Sequence, residues 1–299
     1  MNQETEAFRS GFVAIMGVPN VGKSTLINRL IGEKIAITSR KPQTTRSRIL
    51  GIVHRPSCQL ALVDTPGIHQ ASKALNRRIV ETALSAAGDA DVLLWLVDVS
   101  RDDSEDNNLV LEHLKNYKKP VILAFNKIDL IAKPELLAWM EIWANRFPFR
   151  EIIPISAEKN IQLDLLLDVL ERNLPESPPL FPEDSLTDMP LRFIAAELIR
   201  EKVLRRTGDE IPYAVAVTIE DFRRNETAGR TEIHASIHVE KDSQKGIVIG
   251  KGGARLKEIG TDARRDIEKL LGEKVFLKLF VHVQKNWTKD TRVIARFGY

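Results

Sequence analysis

The amino-acid sequence predicts a doubly wound α/β domain with a mostly parallel sheet, followed by a smaller α+β domain. Three observations carry this prediction. Short apolar runs alternate with helical stretches over the first 175 residues. Five prolines, Pro175, Pro178, Pro179, Pro182 and Pro190, then fall within sixteen residues. Beyond them the order changes to helix, strand, strand, short helix, glycine turn, helix and strand. Alternation of the first kind reads as parallel strands joined by right-handed crossovers.

Composition sets the frame. The 299 residues are 43% hydrophobic and 28% charged, the balance of a globular protein able to bury a sizeable core. Cys58 is the one cysteine, which excludes an intrachain disulfide framework and fits a reducing cytosol. Residues 1–10 lack the basic start and apolar run of a signal peptide, and no apolar stretch is long enough to span a bilayer. The expected location is therefore cytoplasmic. Charge is uneven. Residues 1–190 hold 22 basic and 25 acidic side chains, a balance of −3; residues 191–299 hold 22 and 16, a balance of +6. A basic domain attracts polyanions such as nucleic acid.

The first strand is expected over 12–17 and leads into Gly17-Val18-Pro19-Asn20-Val21-Gly22-Lys23-Ser24, which matches G-x-x-x-x-G-K-[ST]. A helix is expected from Lys23 through Ile31, with Thr25 in its first turn. Glycines let backbone N–H groups wrap phosphates, and the helix N-terminus adds a favourable dipole. Lys23 is placed to reach β- and γ-phosphates and Ser24 to ligate Mg²⁺. After one hairpin-like strand, an apolar strand over 60–64 ends in Asp64-Thr65-Pro66-Gly67. There the aspartate can hold Mg²⁺ through water and the Gly67 amide can meet a γ-phosphate. Alone, this tetrapeptide is more often a turn.

Further strands are expected over 92–97, 121–125 and 152–155, with helices over 73–87, 107–117, 135–146 and 163–172. The strand at 121–125 ends in Asn126-Lys127-Ile128-Asp129. Asp129 can accept from guanine N1–H and the exocyclic amine; adenine offers no such pair and would leave the carboxylate unpaired. Asn126 is read as a loop brace, and the Lys127 stem as a surface along the base. Ser156-Ala157, after the last strand, would supply backbone N–H groups to guanine O6.

Together these four motifs resemble the GTPase superfamily, with GTP/GDP and Mg²⁺ as the implied ligands. Within it, Gln43-Thr44-Thr45-Arg46-Ser47-Arg48 resembles the first switch region of the Era family. The resemblance makes Thr45 the third Mg²⁺ ligand beside Ser24 and Asp64, with Thr44 as the alternative. Ile68 stands where Ras-type enzymes carry a water-orienting glutamine, a hydrophobic replacement that Era-like GTPases share. Asn20 resembles the asparagine that several such GTPases use to hold K⁺ beside the phosphates.

Residues 178–190 read as a semi-rigid proline linker between a domain over 1–177 and another over 191–299. In the latter, helices are expected over 191–206 and 254–271, and strands over 213–220, 231–240 and 274–283. Ile249-Gly250-Lys251-Gly252-Gly253 sets a G-x-x-G loop between two helices, the device that clamps about four nucleotides in KH domains. Lys251, Arg255 and Lys257 flank it and are expected to contact RNA, while Leu256, Ile259, Ala263, Ile267 and Leu270 form a stripe for packing on the sheet. Trp287 and Phe297 are read as packing residues rather than base platforms. The element order resembles type II KH domains. The expected fold class is therefore an α/β P-loop GTPase domain with a mostly parallel sheet, followed by an α+β type II KH domain. That pairing resembles the Era family over nearly the whole chain. It implies GTP hydrolysis, binding of small-subunit ribosomal RNA near its 3′ end, assistance to assembly of the 30S ribosomal subunit, a monomeric state and peripheral contact with the inner membrane.

Overall fold

The computed structural model describes residues 7–38, 48–65, 88–101, 104–114, 117–207, 211 and 215–298. The expected helix over 73–87, the switch residues Gln43, Thr44 and Thr45, and Pro66, Gly67 and Ile68 lie outside the described residues. The described chain divides into two compact units, one of residues up to 33 and from 48 to 188, the other of residues 34–38 and 189–298.

The first unit is built on a six-stranded sheet. Its strands are β1 (Arg9–Met16), β2 (Ile49–His54), β3 (Cys58–Asp64), β4 (Val92–Asp98), β5 (Val121–Asn126) and β6 (Glu151–Pro154), in the order β2-β3-β1-β4-β5-β6. All pairs are parallel except β2 with β3. The strands β3, β4 and β5 are buried along their whole length, as sheets covered on both faces require. Helices α1 (Lys23–Ile31), α2 (Ser104–Leu114) and α3 (Lys133–Ala144) lie between strands, and α4 (Leu163–Asn173) follows β6. Under α3, Trp143 meets Trp95 edge-on at 5.0 Å and Phe125 edge-on at 6.2 Å, a buried aromatic cluster. The register pairs Ile15 with Asp64 and Asp98 with Asn126, so the carboxyl ends of four strands finish at one edge. The strand order reverses at β1, where such sheets open a crevice for ligands.

The proline segment, expected as a semi-rigid linker, finds partners along the sheet edge. The Gln59 side chain accepts from the Leu180 and Phe181 amides at 2.7 and 2.9 Å and donates to Phe181 O at 2.8 Å. Further along, Ile52 N–H donates to Leu186 O at 2.9 Å, Thr187 Oγ1 donates to Leu50 O at 2.6 Å, and His54 Nε2 donates to Ser185 O at 2.8 Å. Phe181 also packs edge-on to Phe12 over the small cluster of Leu50, Ile52, Ala61 and Val63.

In the second unit, α5 (Leu191–Arg206) precedes β7 (Ala216–Asn225) and β8 (Arg230–Val239), an antiparallel hairpin; α6 (Asp242–Ile249) and α7 (Ala254–Leu271) lead to β9 (Val275–Val283), which is parallel to β8. The order helix, strand, strand, helix, helix, strand is the expected one. The α7 stripe buries Ile259, Ala263 and Ile267 against Ile233, Ala235 and Ile237, with Leu256 and Leu270 partly buried beside them. Inside α5, Arg200 and Glu197 form a buried two-pronged ion pair at 2.7 and 2.6 Å. Strand β7 runs to Asn225, five residues beyond the expected end, because Arg223 and Arg224 pair in the sheet with their side chains in solvent. One element was not expected: α8 (Thr291–Arg296), capped by Asp290, whose side chain accepts from the Arg292 and Val293 amides. Before it, Trp287 is fully buried and meets Phe297 edge-on at 5.2 Å, the packing role expected of both.

Candidate functional site

The loop between β1 and α1 is shaped by close approaches. Gly22 has φ 106°, and a Cβ there would stand 2.3 Å from the Asn126 amide nitrogen. Any side chain there would collide with the Asn126 amide and break its hydrogen bond to the loop. Lys23, the first residue of α1, is buried, and its Nζ donates to Gly17 O at 2.9 Å and Val18 O at 3.0 Å. Burial, opposed by Asp64 and assisted by Arg101, brings its pKa down to about 8. No acidic side chain lies in the first turn of α1, so the amide dipoles there favour an anion.

A polyphosphate bound at this loop returns Lys23 to its charged form, so binding takes up protons where the free lysine is neutral. Nucleotide affinity is therefore expected to be level below pH 8 and to fall above it, by up to about tenfold per pH unit. Calorimetry in buffers of different ionisation enthalpy checks this. Absence of proton uptake on GDP binding above pH 8 contradicts it.

Ser24 Oγ donates to Asp64 Oδ2 at 2.8 Å, bringing a hydroxyl and a fully buried carboxylate together at the loop. Thr65 Oγ1 holds the end of β3 against β1 by donating to Ile15 O at 2.6 Å. Two hard oxygen donors at a helix N-terminus and a strand tip suit Mg²⁺, which takes one or two protein oxygens and completes its shell with water and phosphate.

At the other end, Asn126 ties two loops together. Its Nδ2 donates to Val21 O at 2.7 Å, and its Oδ1 accepts from Ala157 N–H at 2.9 Å. A base oxygen reaching this loop therefore shares the Ala157 amide with Asn126 or takes the next one. Ser156 is buried and exchanges two backbone hydrogen bonds with Ile161. Lys127 adopts φ 67° and donates to Asn20 O at 3.1 Å and to Asp98 at 2.5 Å. Ile128 and Asp129 lie in a single 3₁₀ turn, with Asp129 exposed. Two residues absent from the sequence reading belong to this wall: Asp98, and Arg101, whose Nη2 donates to Pro19 O at 2.5 Å. The available signal was topological, since Asp98 ends β4 and Arg101 follows it, and β4 is the strand next to β1.

In the second unit, α6 ends at Ile249 and the chain turns through Gly250, Lys251, Gly252 and Gly253 into α7. A Cβ on Gly250 would lie 2.7 Å from the Arg255 Cβ, whereas Gly252, at φ 59°, faces open space. Lys251, Gly252 and Lys257 are exposed. Arg255 donates to Ile247 O at 2.7 Å and so buttresses the end of α6, while Ile249 packs on the core. Both shape the loop from behind.

The family described as "50S ribosome-binding GTPase" matches residues 12–127, and the KH domain family matches residues 210–288. GTPase Era of Geotalea uraniireducens is 53% identical over 292 residues, 98% of each chain. The chain belongs to the Era family of GTPases. Two solved Era structures share its architecture. A point variant of Aquifex aeolicus Era bound to GDP·AlF₄⁻ superposes with a TM-score of 0.94 at 39% identity, over 98% of this chain and 99% of that one. An Era complex with MgGDPNP and nucleotides 1506–1542 of 16S ribosomal RNA gives 0.94 at 40% identity and the same coverage. As an Era-family protein it is a GTPase that joins a P-loop domain to a C-terminal KH domain. Among the described residues, no helix of this Era-family chain is long and apolar enough to cross a membrane.

Proposed function

We propose that this GTPase is a switch protein that binds small-subunit ribosomal RNA near its 3′ end and assists assembly of the 30S subunit. The observation that carries the reading is the exposed Lys251-Gly252 turn between two helices, on a chain that also holds a complete phosphate loop. The relative solved with a 16S fragment supports it.

In this reading, the loop amides of residues 17–24 and the Lys23 ammonium bind the β- and γ-phosphates. Asn126 keeps the phosphate loop and the base loop in register, and Asp129 selects guanine. Ser24 and Asp64, with Thr45, would hold Mg²⁺, which spreads the charge that develops on the phosphates. RNA binds at the glycine turn, where Lys251 and Lys257 meet phosphate. Linkage then requires RNA and nucleotide to change each other's affinity by the same factor. K⁺ beside Asn20, a monomeric state, the cytoplasmic location and a peripheral contact with the inner membrane are finer parts of the same proposal, resting on the resemblance.

Gly252→Asp tests the reading. The open space at Gly252 admits the new side chain, and aspartate tolerates a positive φ better than most residues. The variant is expected to fold, to hydrolyse GTP normally and to lose at least about tenfold in affinity for a 3′-terminal 16S fragment, through like-charge repulsion. Filter binding checks this, and wild-type RNA affinity would remove the glycine turn from the interface.

A further inference from the structure

The three-stranded sheet of the second unit has two faces: α5 and α7 cover one, and on the other Phe297, at the end of α8, packs on His238 with ring centroids 4.5 Å apart, leaving the stretch around Phe276 and Phe280 open. Ile233, Ala235 and Ile237 of β8 point to the first side, into the core formed with α5 and α7. The residues that alternate with them point the other way. On β9 these include Phe276 and Phe280, which remain 41% and 38% exposed. Lys278 lies between them, and the register sets His234 of β8 opposite Lys278. A cation sits over each ring: Arg230 Cζ is 5.0 Å from the Phe276 centroid, and Lys278 Nζ is 5.0 Å from that of Phe280. Glu232 shares this face, and its charge is met by Arg223 at 3.4 Å and Arg230 at 3.6 Å.

We propose that this outer face is a second RNA-binding surface, on which unpaired bases stack against Phe276 and Phe280. It rests on the reading of this domain as RNA-binding and lies apart from the glycine turn, which belongs to the helical layer. Single exposed phenylalanines are common, but two rings four residues apart on one strand face, each with a cation above it, form a repeating platform. At roughly 3.3 Å per residue they stand about 13 Å apart, and a base stacking on Phe280 displaces the Lys278 ammonium from that ring and frees it to meet a phosphate. Bases stack on aromatic rings and on guanidinium planes alike, so Arg230 adds to the surface rather than closing it. The +6 balance of residues 191–299 favours a polyanion over a neutral or basic protein.

The test uses the full chain and a 4-thiouridine-bearing single-stranded 16-mer RNA. Photocrosslinks are expected in two peptides, one holding the glycine turn and one holding β9. Phe276→Ala with Phe280→Ala should remove the second set and weaken binding by about tenfold or more, leaving GTP hydrolysis unchanged. Phe280→Trp, which keeps a ring, should retain the affinity, so a fold defect cannot imitate the result. Lys278→Ala should reduce the slope of log affinity against log salt by about one. Unchanged affinity in the double variant, with no crosslink in β9, overturns the proposal; if Gly252→Asp still loses RNA, the first interface stands. A wild-type chain that binds no RNA overturns both. If the double variant instead abolishes self-association or vesicle flotation while RNA binding persists, the face serves a second copy or a lipid surface, and the proposal fails.

Discussion

Lys23→Ala is expected to raise the dissociation constants for GTP and GDP by about 30- to 5,000-fold, the range for removing one partner of a desolvated charge pair. The ammonium is fully enclosed and its present acceptors, Gly17 O and Val18 O, belong to the loop that would wrap the phosphates. A ligand that reaches it therefore meets a donor already stripped of water, with little reorganisation to make. The fold should tolerate the change, because burial already disfavours the charged form of this side chain. Titration with a fluorescent GDP analogue, alongside thermal unfolding of the variant, separates the two effects. A folded variant with wild-type affinity would show that the phosphates bind elsewhere.

Asp129→Asn is expected to be at least as severe for guanine and to favour another base. Two charge-assisted hydrogen bonds from guanine to a carboxylate are lost, about 10²- to 10⁴-fold in affinity. The new amide presents N–H to the donors of guanine, but it suits xanthine, which offers a carbonyl oxygen in place of the exocyclic amine. Asp129 lies exposed in a 3₁₀ turn at the end of β5, so little else depends on it. Competition between GDP and XDP for the variant reads the change directly. An unaltered order of preference assigns base selection to other groups.

Much of this site was legible in the sequence because its parts are local. A phosphate loop needs a strand, a tight turn and a helix in immediate succession, and residues 9–31 supply all three. The G-x-x-G turn is likewise contiguous, flanked by α6 and α7. Whatever depends on distant pairings was not legible. Arg101 reaches the phosphate loop, and Asp98 the Lys127 ammonium, only because β4 lies between β1 and β5. For Arg255, expected beside the glycine turn as an RNA contact, the sequence does not show its hydrogen bond to a carbonyl eight residues earlier, which α7 brings within reach. The strap formed by 180–187 was hidden for the same reason. Gln59, an ordinary polar residue in an apolar strand, makes three of its hydrogen bonds. Strand β7 was read too short because its second half faces water and carries charge, which masks the apolar alternation.

The same strap decides where the first domain can be excised. A truncation after residue 177, the boundary read from the prolines, would strip β2 of its hydrogen-bonding neighbour and leave Gln59 without the partners it holds in Leu180 and Phe181. The exposed edge of β2 would then offer a ready template for another chain's backbone, and Phe12 would lose the ring that covers it. A fragment ending at 188 keeps all of these contacts within one unit. The shorter fragment should be the poorly behaved one, clumping as it is concentrated, even though it contains every nucleotide motif in the sequence.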